Sequence, residues 1–222
     1  MCEWFDETCG ELLGYLDKKA VTDNTLVIYV TDNGWIQRTP DTKAPAGWRG
    51  SFAPRSKQSP NEGGTRTPIM VRWPGKVKPA TYQTLVSSID IAPTIYAACG
   101  VKAPAGLPGI NLLDVCRHRE ANPSAADKRN VLFGECFAHD IADINRPAES
   151  LLFRWCIRDQ WKLLLTYDGK IGRYAFAHPR TNKAPQLYDL LADPHENKNL
   201  AASNPAIVKE LTALMQKSWD SK

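Results

Sequence analysis

Apolar residues recur at helical spacing over the first twenty positions. Phe5, Cys9, Leu12, Leu13 and Leu16 share one face, and Glu3, Asp6, Glu7, Lys18 and Lys19 occupy the others. The pattern predicts a helix to about Lys19, with acids first and lysines last, as the helix dipole favours. A Thr-Asp-Asn turn leads into TLVIYVT, an apolar, β-branched run of the kind covered on both faces. Helix followed by such a strand predicts part of a parallel α/β sheet. The periodicity then lapses. Residues 34–64 read as a loop rich in Pro and Gly, and a loop of that length inside a compact domain is usually functional.

Regular signals return with Ile69–Trp73, a second short strand closed by Pro74-Gly75. SSIDIAPTIYAACG reads as a helix capped by Ser88 or Asp90, with Pro93 in its first turn and Gly100 just past its end. Residues 101–130, rich in Pro, Gly, Ala and charge, read as a linker crossing the surface. The rhythm then shortens. NVLFGECF, LLFRWCI, WKLLLTY and PQLYDLL are β-type runs separated by turn residues such as Asp168-Gly169, which predicts an antiparallel sheet. Asn204-Pro205 caps a last helix with Ile207, Val208, Leu211, Leu214 and Met215 inward. The expected fold class is α/β, divided into a core over 1–103, a linker over 104–130 and a small α+β domain over 131–222.

Composition narrows the classes. With 43% apolar residues and seven Trp, the 222-residue chain can bury a sizeable core. Its net charge of +4 comes from 28 basic and 24 acidic residues without a block of like charge, which argues against a nucleic-acid or membrane-surface partner. Neither a signal peptide nor a membrane span is visible. The six cysteines lack Cys-x-x-Cys spacing and read as buried free thiols.

Ligands of open parallel sheets bind at the carboxyl ends of the strands, which is where Asp32 and Asn33 lie. A carboxylate beside an amide carbonyl offers hard oxygens suited to Ca²⁺ or Mg²⁺, and Gly34 lets the chain turn away. An Asp-Asn-Gly turn with no ligand fits the same three residues. Lys57, in a glycine-rich loop, could hold a sulfate or phosphate oxygen as a compact charge or simply be solvated. Glu62 and Arg66 read as pairing with each other or with backbone, fixing that loop.

NTLVIYVTDNG, KQSPNEGGTRTPIMVRWPGKVKP, SSIDIAPTIYAACG and LYDLLADPHENKNL together resemble, in that order, the C-terminal portion of the sulfatase family, within the alkaline phosphatase superfamily. The resemblance implies the last part of a doubly wound core followed by a small domain with an antiparallel sheet and a C-terminal helix. It implies that Asp32 and Asn33 bind a divalent cation, usually calcium, and that Lys57 contacts the sulfate. Cation and lysine would together neutralise charge on the sulfate oxygens during S–O cleavage. Such proteins are often periplasmic, secreted or lysosomal.

The departures are equally specific. The family's nucleophile is a cysteine in Cys-x-(Pro/Ala)-Ser-Arg, converted to formylglycine; no cysteine here has that context, and the accompanying Asp-Asp pair is missing. Gln58 and Asn61 replace residues that are commonly Gly and Tyr. The expectation is a sulfatase fragment, inactive alone, that acts on a sulfate ester or glycan together with a separate upstream half. Alternatives are a non-catalytic module binding a sulfated glycan or a partner, and a phosphodiester or phosphonate hydrolase. His195 reads as an exposed turn residue, His118 and His178 as surface residues, and His139 as a weak candidate to face substrate. Strands 25–31 and 69–73, lacking neighbours, are expected to leave apolar faces open to association.

Overall fold

A computed structural model describes residues 1–32, 34, 40–41, 43–44, 52–117, 129–138, 142–169 and 183–219. They form two compact units. One comprises Met1–Val30 and Pro68–Arg129, the other Thr31–Thr67 and Asn130–Lys222.

In the first unit, helix α1 (Cys2–Lys18) precedes strand β1 (Val27–Val30), which pairs with β2 (Ile69–Arg72). The pairing is antiparallel, Val27 opposite Arg72 and Val30 opposite Ile69, whereas the sequence led us to expect a parallel sheet. An apolar run reports how a strand is covered and not which way its neighbour runs. Neither strand is fully buried, and α1 buries no residue. Trp4, Phe5, Leu12 and Tyr15 of α1 remain more than half exposed, at 75%, 53%, 59% and 56%. A cleft of about 780 Å³, lined by Met70, Arg72, Trp73, Tyr82 and Cys116 among others, belongs to this unit and contains none of the predicted site residues.

Helix α3 (Ile91–Ala98) is entered through a turn of 3-10 helix over Ser88–Asp90. Asp90, one of the two caps expected, stands at the amino end of α3, and Ser87 caps the 3-10 turn before it, its N–H donating to the Asp90 carboxylate at 2.8 Å. Asp90 is fully buried and takes a two-pronged ion pair from Arg129 at 2.7 and 2.8 Å, plus the Ile110 N–H at 2.8 Å. Thr94 adds a relay, donating to the Asp90 carbonyl and accepting the Leu112 N–H. This network pulls the segment after α3 inward. Residues 112–117, read from sequence as part of a surface linker, form helix α4 (Leu112–Arg117) with Leu112, Leu113 and Val115 buried.

The second unit is built on a four-stranded antiparallel meander in the order β3 (Leu132–Phe137), β4 (Leu151–Arg158), β5 (Trp161–Thr166) and β6 (Gln186–Asp189). Helix α5 (Pro205–Ser218) packs Leu211 and Met215 on Cys156, Leu163 and Leu187, with Ile207, Val208 and Leu214 around them. Arg154 of β4, 1% exposed, anchors the end of α5 by donating to the carbonyls of Met215 (2.7 Å) and Trp219 (2.9 Å). Met215 O also accepts the Trp219 N–H at 3.3 Å and Ser218 Oγ at 2.8 Å, so the guanidinium joins the closure of the last turn, where a cation suits the helix dipole. Two turn details differ from expectation. The β4–β5 hairpin turns at Asp159, with φ +53°, whereas Asp168-Gly169 continues alongside β4 through Gly169 N–H to Leu151 O at 2.9 Å. Asn204 stands at the amino end of α5, yet its side chain donates back to the Leu200 carbonyl at 3.0 Å.

Candidate functional site

The Asp-Asn-Gly turn and the Glu-Gly-Gly turn, thirty residues apart in sequence, touch through their glycines. Gly34 N–H donates to Gly64 O at 3.3 Å, and a Cβ at Gly34 would stand 2.5 Å from Gly63 O. Gly64 is under the same restriction, since its Cβ would lie 2.3 Å from Ser56 O and 2.6 Å from Ser59 O. Backbone approaching backbone at these distances leaves no room for a side chain. At the end of the stretch read from sequence as a loop, residues 62–65 form the single helical turn α2 (Glu62–Thr65).

Lys57 stands exposed on this loop, its ammonium 5.2 Å from the Phe52 ring centroid. Left-handed backbone flanks it, at Arg55 with φ +56° and at Gln58 with φ +64°. Non-glycine residues adopt that region at a cost of about 1–2 kcal/mol. Position 58 therefore has the backbone a glycine would prefer, and a glutamine occupies it. Gln58→Gly should relieve that strain and lose roughly 0.5–1 kcal/mol through the freer unfolded chain, for a net gain of up to about 1 kcal/mol. Urea unfolding would read it, and a loss of stability would contradict the strain.

A buried ion cluster lies beneath the loop. Of the two pairings read from sequence for Glu62 and Arg66, with each other or with backbone, the Arg66 backbone N–H donates to Glu62 O at 2.9 Å; the Glu62 carboxylate instead takes Lys162 Nζ of β5 at 2.8 Å. Lys162 is fully buried and also faces Glu196 Oε1 at 3.2 Å. That second contact is an attraction between charges without hydrogen-bond alignment, for Oε1 has no hydrogen-bond partner. The other oxygen, Oε2, accepts the Glu62 N–H at 2.7 Å. On β5, Leu163 packs toward α5, so Lys162 projects from the opposite face of the sheet, where it meets Glu62 of α2.

Glu196 belongs to the LYDLLADPHENKNL segment, whose other polar residues build the turn itself. Asp189 accepts the N–H groups of Leu191 and Ala192, and Asp193 accepts that of Lys198 at 2.7 Å. Asn199 accepts from Leu187 on β6 and from Ala201, each at 3.0 Å. His195 is exposed, as expected, and its carbonyl accepts from Arg55.

Asp32 follows β1 and is exposed, with no hydrogen bond or ion pair to another described residue. A hard carboxylate with open oxygens suits a divalent cation, and it is one ligand of the roughly six to eight that calcium takes. Among the described residues no group of three or more His, Cys, Asp or Glu side chains could hold a metal. Asn33, His118, His139 and His178 lie outside the described residues. The six cysteines are free; Cys156 is buried, Cys9, Cys116 and Cys136 are half-buried, and Cys2 and Cys99 are exposed. Burial pushes the Cys136 thiol up to about 11 and that of Cys156 to about 12, so both stay protonated and unreactive at neutral pH.

Sequence reasoning missed Lys162, Glu196 and Arg55 as supports of the loop. One signal was available: WKLLLTY and LLFRWCI each carry a single cation inside an otherwise apolar strand, and a buried cation requires a partner.

Comparison with known proteins gives matches along the chain. A family model described as Sulfatase matches residues 1–101, and one described as N-sulphoglucosamine sulphohydrolase, C-terminal, matches residues 55–221. An N-acetylgalactosamine-6-O-sulfatase of Bacteroides thetaiotaomicron is 33% identical over 95% of this chain and 39% of its own length. A solved sulfatase structure from a Bacteroides thetaiotaomicron study of glycosaminoglycan metabolism superposes with a TM-score of 0.67 at 30% identity, covering 96% of this chain and 42% of that one. Another, in complex with its substrate D-glucosamine-2-N,6-O-disulfate, gives 0.66 at 26% identity, over 97% and 38%. The chain thus spans about two fifths of the length of these relatives.

Proposed function

Because the chain belongs to the sulfatase family, we propose that it carries the sulfate-contacting lysine and part of the cation site of a sulfuric ester hydrolase, with Lys57 and the Asp32–Asn33 pair in those roles. The observation that carries this reading is the contact of Gly34 with Gly63 and Gly64, which joins the turn after Asp32 to the loop bearing Lys57. Lys57 has an exposed ammonium available to an anion, and the buried Glu62–Lys162 pair ties its loop to β5. Asp32 and the amide oxygen of Asn33 would supply two hard ligands to a divalent cation, calcium by the family resemblance. Once bound, it would withdraw charge from the sulfate oxygens. Two of the relatives are named for a sulfated amino sugar and a third for glycosaminoglycan metabolism, so the substrate class proposed for the whole enzyme is a sulfated glycan ester.

No cysteine of this sequence stands in the formylglycine context, and the buried thiols are protonated. The chain on its own is therefore expected to leave an aryl sulfate unhydrolysed at the detection limit of a continuous assay. Turnover by the purified chain that disappears in Lys57→Ala would overturn that expectation, because the nucleophile would then lie among these 222 residues.

A further inference from the structure

The turn Asp193–Asn197 meets the Lys57 loop at two points. Arg55, two residues before Lys57, donates from one Nη1 to the His195 carbonyl at 3.1 Å and to Asn197 Oδ1 at 3.0 Å. Seven residues later in the loop, the Glu62 N–H donates to Glu196 Oε2 at 2.7 Å, beside the Lys162 ammonium. Glu196 is 1% exposed and holds φ +55°, a backbone region in which glycine or asparagine is at ease and glutamate is not. The turn does not need that carboxylate for its own fold. Its internal bonds come from Asp189, Asp193 and Asn199, and the Glu196 N–H donates to Asp193 O at 3.0 Å whatever the side chain. A strained, buried glutamate whose carboxylate reaches only into the neighbouring loop and its lysine has its role there.

We propose that this turn is a latch fixing the Lys57 loop, and that Glu196, seconded by Asn197, is a positioning residue for the sulfate site. The inference rests on the reading of Lys57 as the sulfate contact. Arg55 and Glu62 bracket Lys57, so holding both limits where its ammonium can go, and it reduces the ordering that an arriving sulfate must impose.

Amide hydrogen exchange on the full chain tests this, with Glu196→Gly, Glu196→Gln and Asn197→Ala. Glycine suits φ +55° and removes the carboxylate while sparing the turn, and glutamine retains an acceptor for the Glu62 N–H. In Glu196→Gly, amides of 55–66 should exchange about tenfold faster while those of β4 and β5 stay within about twofold of the parent. Glutamine should recover part of the protection, and Asn197→Ala should lose less. In parallel, sodium sulfate titrated into lysine-labelled chain should shift the Lys57 resonance with about tenfold weaker apparent affinity in Glu196→Gly. Unchanged loop exchange, or loop and sheet accelerating together, would overturn the latch. If the parent's Lys57 resonance ignores sulfate, the sulfate reading fails while the exchange pattern still decides the latch.

Discussion

Lys162→Met should destabilise the C-terminal unit by about 3–5 kcal/mol, the usual cost of breaking a buried ion pair by removing one partner. Methionine matches the aliphatic stem, so volume is nearly conserved and the loss is electrostatic. The Glu62 and Glu196 carboxylates, 8% and 1% exposed, would face one another without the cation now 2.8 and 3.2 Å from them. Neutralising them as well, in Lys162→Met with Glu62→Gln and Glu196→Gln, should return much of the stability, because a buried charge cluster replaced as a whole costs little. Urea unfolding followed by the fluorescence of Trp155 and Trp161, on the strands beside Lys162, would measure both. A loss below about 1 kcal/mol in the single variant would mean that water already reaches the cluster.

Gly34→Ala is expected to part the two glycine turns. Its Cβ would lie 2.5 Å from Gly63 O and 2.9 Å from Gly64 C, both backbone atoms that cannot swing aside as a side-chain tip can. Overpacking of this kind costs about 1–3 kcal/mol, and the Gly34 N–H to Gly64 O bond would be lost with it. The cost should fall on the loop and not on the sheet, since the contact lies outside β3–β6. Hydrogen exchange at residues 52–66 should rise while α5 and the meander keep their protection. A variant with parental exchange throughout would show that the contact bears no weight.

The meander and α5 were legible because each rests on a local signal: short β-type runs at 132–137, 151–158, 161–166 and 186–189, then Ile207, Leu211 and Met215 on one helical face. The direction of β1 against β2 was not, since periodicity fixes the faces of a strand and leaves its neighbour's direction open. Helix α4 was hidden by its length, six residues within a Pro- and Gly-rich stretch. At the loop, the sequence pointed to its glycines and left Glu62 pairing with Arg66 or with backbone, without its carboxylate's partner. Its partner Lys162 lies a hundred residues away, and no local pattern links a loop glutamate to a strand lysine at that separation. The φ +64° at Gln58 was likewise unavailable from a glutamine, which ordinarily signals nothing about backbone hand.

Two of the four segments that carried the family resemblance, KQSPNEGG and LYDLLADPHENKNL, meet in three dimensions through the Glu62 N–H on Glu196 and through Lys162, which faces both carboxylates. Each places a carboxylate on the buried Lys162 of β5, and the Glu62 N–H donates to Glu196, so the two are joined through a cation that neither contains.

The most direct test of the central claim is a sulfate titration of the chain carrying ¹³C-labelled lysine, against sodium chloride at matched ionic strength. One lysine resonance, identified by its absence in Lys57→Ala, should shift saturably with sulfate and not with chloride. Shifts spread evenly over the lysines without saturation, or no shift at Lys57, would contradict the assignment of this loop as the sulfate contact.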